Sequence, residues 1–385
     1  MNMIVEGLLD ACHRVRVLAV NSDKYFIEPS SIPLPYREKT GIELVWLDLG
    51  IKPLNAFLNL FTSRSYHVER FISRAFREKL EGMLQKETFD VVQFEMLYMS
   101  PYLETVRKLS KAKAVLRTHN IEHLIWERIA ENCANPLKRL YVRHLARTLK
   151  KYELGVLSRF DGIAAITGRD ADFFRERIRA GTGERETPEI ISIPFGIDVS
   201  RLPEPSGDYE FPSLFSLGAM NWIPNEEGIR WFLERVWPEV HSRFPDLRYY
   251  IAGRYMPEWL IRGRYPNVAV VGEVGDAWEF MNSKAIMIVP LFSGSGIRIK
   301  IIEGMAAGKA ILSTTIGAEG IQCADGKEIL IADDPGGFVR GIAACVSSPE
   351  LCRSIGQNAR NRILETYDRK GIISGLVDFY RRIGA

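Results

Sequence analysis

The chain has 385 residues and no apolar run that approaches the length of a membrane span. Its N-terminus lacks a basic stretch followed by a long apolar core, so no signal peptide is expected. Cysteine is sparse: Cys12, Cys133, Cys323, Cys345 and Cys352 are odd in number and form no CxxC pair. That argues against a disulfide framework or a zinc ribbon and predicts reduced thiols in a cytoplasmic setting. A net charge of +3 is too small to make nucleic-acid binding a global property. No internal repeat and no low-complexity tract is present. No Ser–His–Asp or Cys–His pairing stands at a known spacing. Gly304–Lys309 only imitates a phosphate-binding Walker loop: its glycines are one residue too close and Ala310 replaces the Ser or Thr that would hold magnesium.

What is present is ordinary in bulk and patterned in detail. Hydrophobic residues make up 46% and charged residues 26%, as in a globular protein, and the length suggests two domains. Apolar, β-branched runs alternate with longer helical patterns. Six lie at 14–20, 42–47, 89–94, 112–118, 162–166 and 189–194; six more lie at 214–218, 247–252, 268–272, 285–291, 310–313 and 328–332. Continuous apolar strands separated by helices imply parallel sheets covered on both faces, here two Rossmann-like sets. The stretch 196–212 carries three prolines and little periodicity, and is expected to be the linker. The expected domains are 1–198 and 199–366, with 367–385 as a final amphipathic helix.

The most informative segment is Ser293-Gly-Ser-Gly-Ile-Arg-Ile-Lys-Ile-Ile-Glu-Gly-Met-Ala-Ala-Gly308, which follows a strand and opens a helix. A Gly-rich turn at the positive end of a helix dipole is a site for phosphate. Gly294, Ser295 and Gly296 form the turn, Arg298 and Lys300 add cations, and Glu303, placed about two turns into the helix, offers a carboxylate to sugar hydroxyls. If both cations are helical they point about 160° apart, so one is expected to be structural.

This segment resembles the donor-site signature of retaining GT-B glycosyltransferases, in which two Glu are separated by seven residues. Glu303 matches the second Glu; the first falls on Ser295, and the Gly-Ser-Gly with Lys300 is similar to a branch of that family. The resemblance implies two Rossmann-like domains with parallel sheets facing an inter-domain cleft. It implies transfer of a sugar from a nucleotide diphosphosugar to a hydroxyl acceptor, with retention and without a bound metal or other cofactor. It implies that Gly294, Ser295, Gly296, Arg298 and Lys300 hold the diphosphate, with Lys300 preferred of the two cations, and that Glu303 holds the ribose. A cell-envelope polysaccharide is the implied product. Two alternatives stay open: a nucleotide-sugar 2-epimerase of the same fold, and a non-catalytic nucleotide-sugar-binding relative. The strand and Gly-rich loop with which such N-terminal domains usually begin are not evident before the 14–20 run.

Other loops at strand ends extend the expected site. Gly218, in Ser216–Gly228, lets backbone approach a ligand, and Asn225 is a candidate helix cap. Members of the family place Arg and Lys in this loop; here Met220 and Asn221 stand near the Arg position and Glu226 and Glu227 near the Lys. Asn221 and Arg254 are secondary candidates, and Trp222 is read either as part of a site or as core. By resemblance the Glu273–Gly275 loop, centred on Val274, meets the base. His119, in Thr118–His123, corresponds to a family His that touches the transferred sugar or the acceptor, and is the expected catalytic residue. Rival readings make His119 and His123 a metal pair, or Asn120 a plain helix cap. Finally, Arg139, Arg143, Arg147 and Lys151 recur every four residues. Such a stripe is ordinarily a solvated face; its functional reading is a surface drawn to anionic lipid at the inner face of a membrane.

Overall fold

The computed structural model describes residues 2–23, 26–131, 133, 135–181, 187–199, 202, 209–294 and 296–385. The chain divides into two compact units, Met1–Pro194 with Arg369–Ala385, and Phe195–Asp368. All strands pair in parallel, as continuous apolar runs separated by helices require.

In the first unit β1 (Leu18–Asn21) pairs with β2 (Glu43–Trp46). The strands β3 (Val91–Glu95), β4 (Lys113–Thr118), β5 (Gly162–Ala165) and β6 (Glu189–Ser192) form a second sheet in that order. The first strand begins later than its apolar run: residues 13–17 adopt no regular element, although the Val17 carbonyl still accepts from the Glu43 N–H. The C-terminal helix Arg369–Arg382 belongs to this unit, where Ile373, Leu376 and Phe379 share a core cluster with Ile4 of the first helix, Asn2–Asp10. Arg369 fixes the two ends together through Glu6 at 3.3 Å and Asp10 at 2.8 Å.

The second unit holds one six-stranded sheet. Its strands are β7 (Glu210–Leu217), β8 (Arg248–Ala252), β9 (Val268–Gly272), β10 (Lys284–Val289), β11 (Ala310–Ser313) and β12 (Leu330–Ile331). Their order is β12-β11-β10-β7-β8-β9. Side chains alternate between the faces: Leu214, Ile286, Ile288 and Leu312 enter one core cluster, while Phe215, Met287, Val289 and Ile311 enter another. This order is that of a doubly wound Rossmann sheet, with its topological switch point between β7 and β10. The linker expectation fails at its end: Pro212 lies within β7, and half of the rest of 196–212 falls outside the described residues.

Candidate functional site

The loops after β7 and β10 leave the sheet at the switch point, where strand order reverses and a crevice opens beyond the strand ends. After β10 the chain passes Gly294 and Gly296, both with positive φ, of 103° and 78°. Ser295 lies outside the described residues. A side chain on Gly294 would also press within 3.0 Å of the Trp222 ring, so the position favours glycine twice over. The helix Ile299–Ala306 then starts with Arg298 as its cap residue. Its first acceptor is the Arg298 carbonyl, which leaves the first-turn N–H groups aimed at the loop, with the positive end of the helix dipole behind them.

Both cations lie at this helix start. Arg298 is buried, its guanidinium donates to the Gly296 carbonyl, and it sits 5.7 Å from the Trp222 ring centre. It is not helical, so the sequence-based angle between the two cations does not apply. Lys300 Nζ donates to Asn225 Oδ1 at 2.6 Å, and Asn225 Nδ2 donates to the Ala219 carbonyl at 2.9 Å. That chain ties the loop after β7 to the helix after β10. Gly218 lies against it: a Cβ there would come within 2.8 Å of Asn225 Nδ2 and 3.3 Å of Lys300 Nζ. Burial, and then repulsion from Arg298, lowers the Lys300 ammonium to about 7.

Glu303 is the fifth residue of its helix, hence about one turn in rather than two. Burial raises its carboxyl, and no hydrogen bond or ion pair engages it among the described residues. A half-buried carboxylate one turn beyond a cationic loop is an acceptor without a donor, which suits a ligand carrying hydroxyls.

One expectation about the neighbouring loops changes, and Trp222 takes one of its two readings. Asn225 is not a cap: the helix Ile223–Arg235 starts after Trp222, and Asn225 bridges Ala219 and Lys300 instead. Trp222 is not core but 37% exposed, beside Gly294 and Arg298. Glu226 accepts from Arg230 at 3.2 Å and from Trp259 at 2.8 Å. Arg254, at the end of β8, donates to Glu273 at 2.8 Å across the next loop. Val274 is half-buried in that same loop, and Asn221 is exposed.

In the first unit His119 follows β4. Its Nε2 lies 2.7 Å from Glu95 Oε2, and Arg117 Nη1 lies 3.2 Å from the same oxygen. The sheet register sets Glu95 opposite Arg117. Gln93 donates to Glu95 Oε1 at 2.7 Å, and Tyr380 of the C-terminal helix donates to Gln93 at 2.6 Å. Burial alone would raise the Glu95 carboxyl, but the His119 hydrogen bond and the Arg117 charge overcome it and hold it at about 2. With Glu95 ionised, His119 Nε2 carries the donated hydrogen, and Nδ1 is the ring atom left for a ligand. In the sequence these partners leave no more signal than a polar Gln-x-Glu ending one strand and an Arg-x-His at the end of the next.

His119 and His123 do not share a face. His123 is fully buried, with Nδ1 2.5 Å from Glu153. Glu153 also accepts from the backbone N–H groups of Glu122 at 3.0 Å and His123 at 3.1 Å, so it caps the helix Glu122–Glu131 in place of Asn120. Burial raises the adjacent Glu122 carboxyl to about 7. No group of His, Cys, Asp and Glu able to hold a metal occurs among the described residues.

The basic stripe lies on the helix Pro136–Leu157. Arg143, Arg147 and Lys151 are exposed; Arg139 is partly buried and donates to the Cys133 carbonyl at 2.9 Å. Among the described residues no helix is long and apolar enough to cross a membrane, and all five cysteines are free thiols.

Residues 212–348 match the family described as Glycosyl transferases group 1. An uncharacterized 44.6 kDa protein in the cps region of Klebsiella pneumoniae is 24% identical over 311 residues, 78% of this chain and 76% of that protein. Sucrose-phosphate synthase from Thermosynechococcus elongatus superposes with a TM-score of 0.70 at 16% identity, over 99% of this chain and 91% of the other. The HepE protein of Anabaena, solved in complex with UDP, superposes with a TM-score of 0.63 at 12% identity, over 96% of this chain and 100% of the other. The neighbours establish a GT-B fold of two Rossmann-like domains. The group 1 match supports a glycosyltransferase, and the epimerase and non-catalytic alternatives are not favoured.

Proposed function

We propose that the protein transfers a sugar from a nucleotide diphosphosugar to a hydroxyl acceptor with retention of configuration. The observation that carries this reading is the helix start after β10, where Gly294 and Gly296, Arg298 and Lys300 surround first-turn N–H groups and Glu303 stands unengaged one turn on. The N–H groups and cations fit a diphosphate, and they stabilise charge that grows as the diphosphate leaves. Glu303 accepts the two ribose hydroxyls, and the Val274 loop meets the base. His119, oriented by Glu95, presents Nδ1 to the sugar or the acceptor. No nucleophile of the protein is assigned. The cps-region relative supports a cell-envelope polysaccharide as the product.

A thermal-shift panel of UDP, GDP, ADP and their sugar conjugates tests the reading, because a ligand bound only by the folded chain raises its stability. One nucleotide diphosphate should stabilise the parent, and Glu303→Gln should lose most of that stabilisation. Slow release of nucleotide from the matching sugar conjugate should follow. Stabilisation by none of the panel, or equal stabilisation of parent and variant, would refute the site.

A further inference from the structure

The helix Pro53–Asn59 is turned the opposite way from a core helix. Its buried residues are Ala56 and Asn59, one small and one polar. Leu54, Phe57 and Leu58 follow the i, i+3, i+4 spacing of a single apolar face, Phe61 lies in the turn just past the helix end, and all four are more than half exposed. The helix Pro136–Leu157 lies alongside: His144 approaches the Asn59 carbonyl at 3.3 Å, and Tyr141 and Leu145 pack with Ala56. One turn before His144, Leu140 is 69% exposed, and Leu137 beyond it is 80% exposed. Exposed apolar side chains thus stand on two elements that pack against each other through Ala56, Asn59, Tyr141, His144 and Leu145.

The surrounding charge identifies the partner. From Leu49 to Val68 and from Cys133 to Tyr152 the chain carries no Asp or Glu, but two Lys or Arg in the first stretch and six in the second. Lys52 and Arg64 pair with Asp48 and Glu69 at the edges of the first stretch. Arg143, Arg147 and Lys151 form no ion pair among the described residues and stay exposed. At 100° per residue Leu137, Leu140, Arg143, Arg147 and Lys151 fall within about 120° of the helix circumference. Apolar insertion residues and cations thus share one face, the pattern of a surface that lies on an anionic bilayer.

We propose that this face docks on the surface of an anionic membrane, with Leu54, Phe57, Phe61 and Leu137 entering the headgroup boundary and Arg143, Arg147 and Lys151 meeting lipid phosphates. The basic stripe acts as the rim, and the short helix is the inserted element. This assignment is independent of the donor site.

Flotation with vesicles of phosphatidylglycerol and phosphatidylcholine tests it, with pure phosphatidylcholine vesicles as the comparison. The parent should float with the anionic vesicles at low salt. Phe57→Ser with Phe61→Ser should weaken binding about tenfold or more, since two exposed rings lose their burial. Arg143→Gln with Arg147→Gln should weaken it at low salt and much less at high salt. Circular dichroism of each variant should match the parent, because every altered side chain is exposed. A parent that does not float, or a Phe57→Ser, Phe61→Ser variant that floats like the parent, overturns the proposal. So does a parent that is dimeric without vesicles and becomes monomeric in that variant, for a second copy would then be the occupant.

Discussion

On the proposed function, Lys300 ties nucleotide binding to pH. Its ammonium is held at about 7 by burial and by Arg298, far below the ordinary lysine value. Below that pH the lysine is charged and ready for a diphosphate. Above it the unliganded protein holds a neutral amine, and binding must draw in one proton to restore the attraction. Affinity should therefore fall roughly tenfold for each pH unit above about 7, and be roughly a hundredfold weaker at pH 9 than at pH 6. The nucleotide does not mask this trend, because a terminal phosphate with a second pKa of about 6 is ionised throughout the upper range. The ligand-free fold responds in the opposite sense. The unfolded chain keeps this lysine protonated to a higher pH than the folded chain does, so stability attributable to Lys300 rises between about pH 7 and the ordinary lysine range. Calorimetry with UDP at several pH values, in buffers of different ionisation enthalpy, reads both the affinity slope and the proton uptake. Lys300→Met should bind more weakly at pH 6 and show no slope above pH 7. A flat profile in the parent, or an unchanged slope in Lys300→Met, would refute the reasoning.

Glu303→Gln should weaken binding of the matching nucleotide diphosphate about tenfold, the loss expected when a charged acceptor becomes neutral. The penalty should shrink with the 2′,3′-dideoxy analogue, which calorimetry can compare directly. His119→Ala should lower turnover roughly a hundredfold while leaving nucleotide affinity within a few-fold, because a contact made to the sugar or acceptor is worth most in the transition state; steady-state kinetics beside binding data separate the two. Glu153→Ala should cost about 3 kcal/mol or more in urea denaturation, since it strips a buried His123 and two helix N–H groups of the carboxylate they share. A loss below about 1 kcal/mol would show that the cap carries little.

The strands were legible because each is a short apolar run bounded by turn residues. The structure places a strand within or overlapping every run read from the sequence. The segment after β10 could be singled out because its signals are local: two glycines, two cations and a carboxylate lie within ten residues of chain. What stayed hidden depends on contacts between distant residues. Glu95 becomes the partner of His119 only because β3 and β4 pair in a register that sets Glu95 opposite Arg117. Glu153, thirty-one residues beyond Glu122, caps the helix for which Asn120 was one rival reading as cap. Local spacing could not supply either fact.

The same distinction explains the loop after β7. Its sequence offers no cation, and Glu226 and Glu227 stand near the position where the resemblance led to the expectation of a Lys. Read alone, that loop argues against anion binding. In the sheet, β7 and β10 are neighbours across the switch point, so their loops leave side by side. Glu226 turns away to Arg230 and Trp259, and its charge is spent there. Asn225 reaches back to hold Lys300, so a polar side chain of one loop positions the cation of the other. Positive charge absent from the first loop is thus supplied from the second, seventy-five residues later. Removing that link tests the substitution. Asn225→Ala leaves Lys300 without its 2.6 Å acceptor and free to take other rotamers. Nucleotide affinity should then fall less than in Lys300→Met, because the charge persists, yet its pH slope above about 7 should also become shallower, because a lysine released toward solvent regains its ordinary pKa. An Asn225→Ala variant with the parent's affinity and the parent's slope would show that Lys300 needs no such hold.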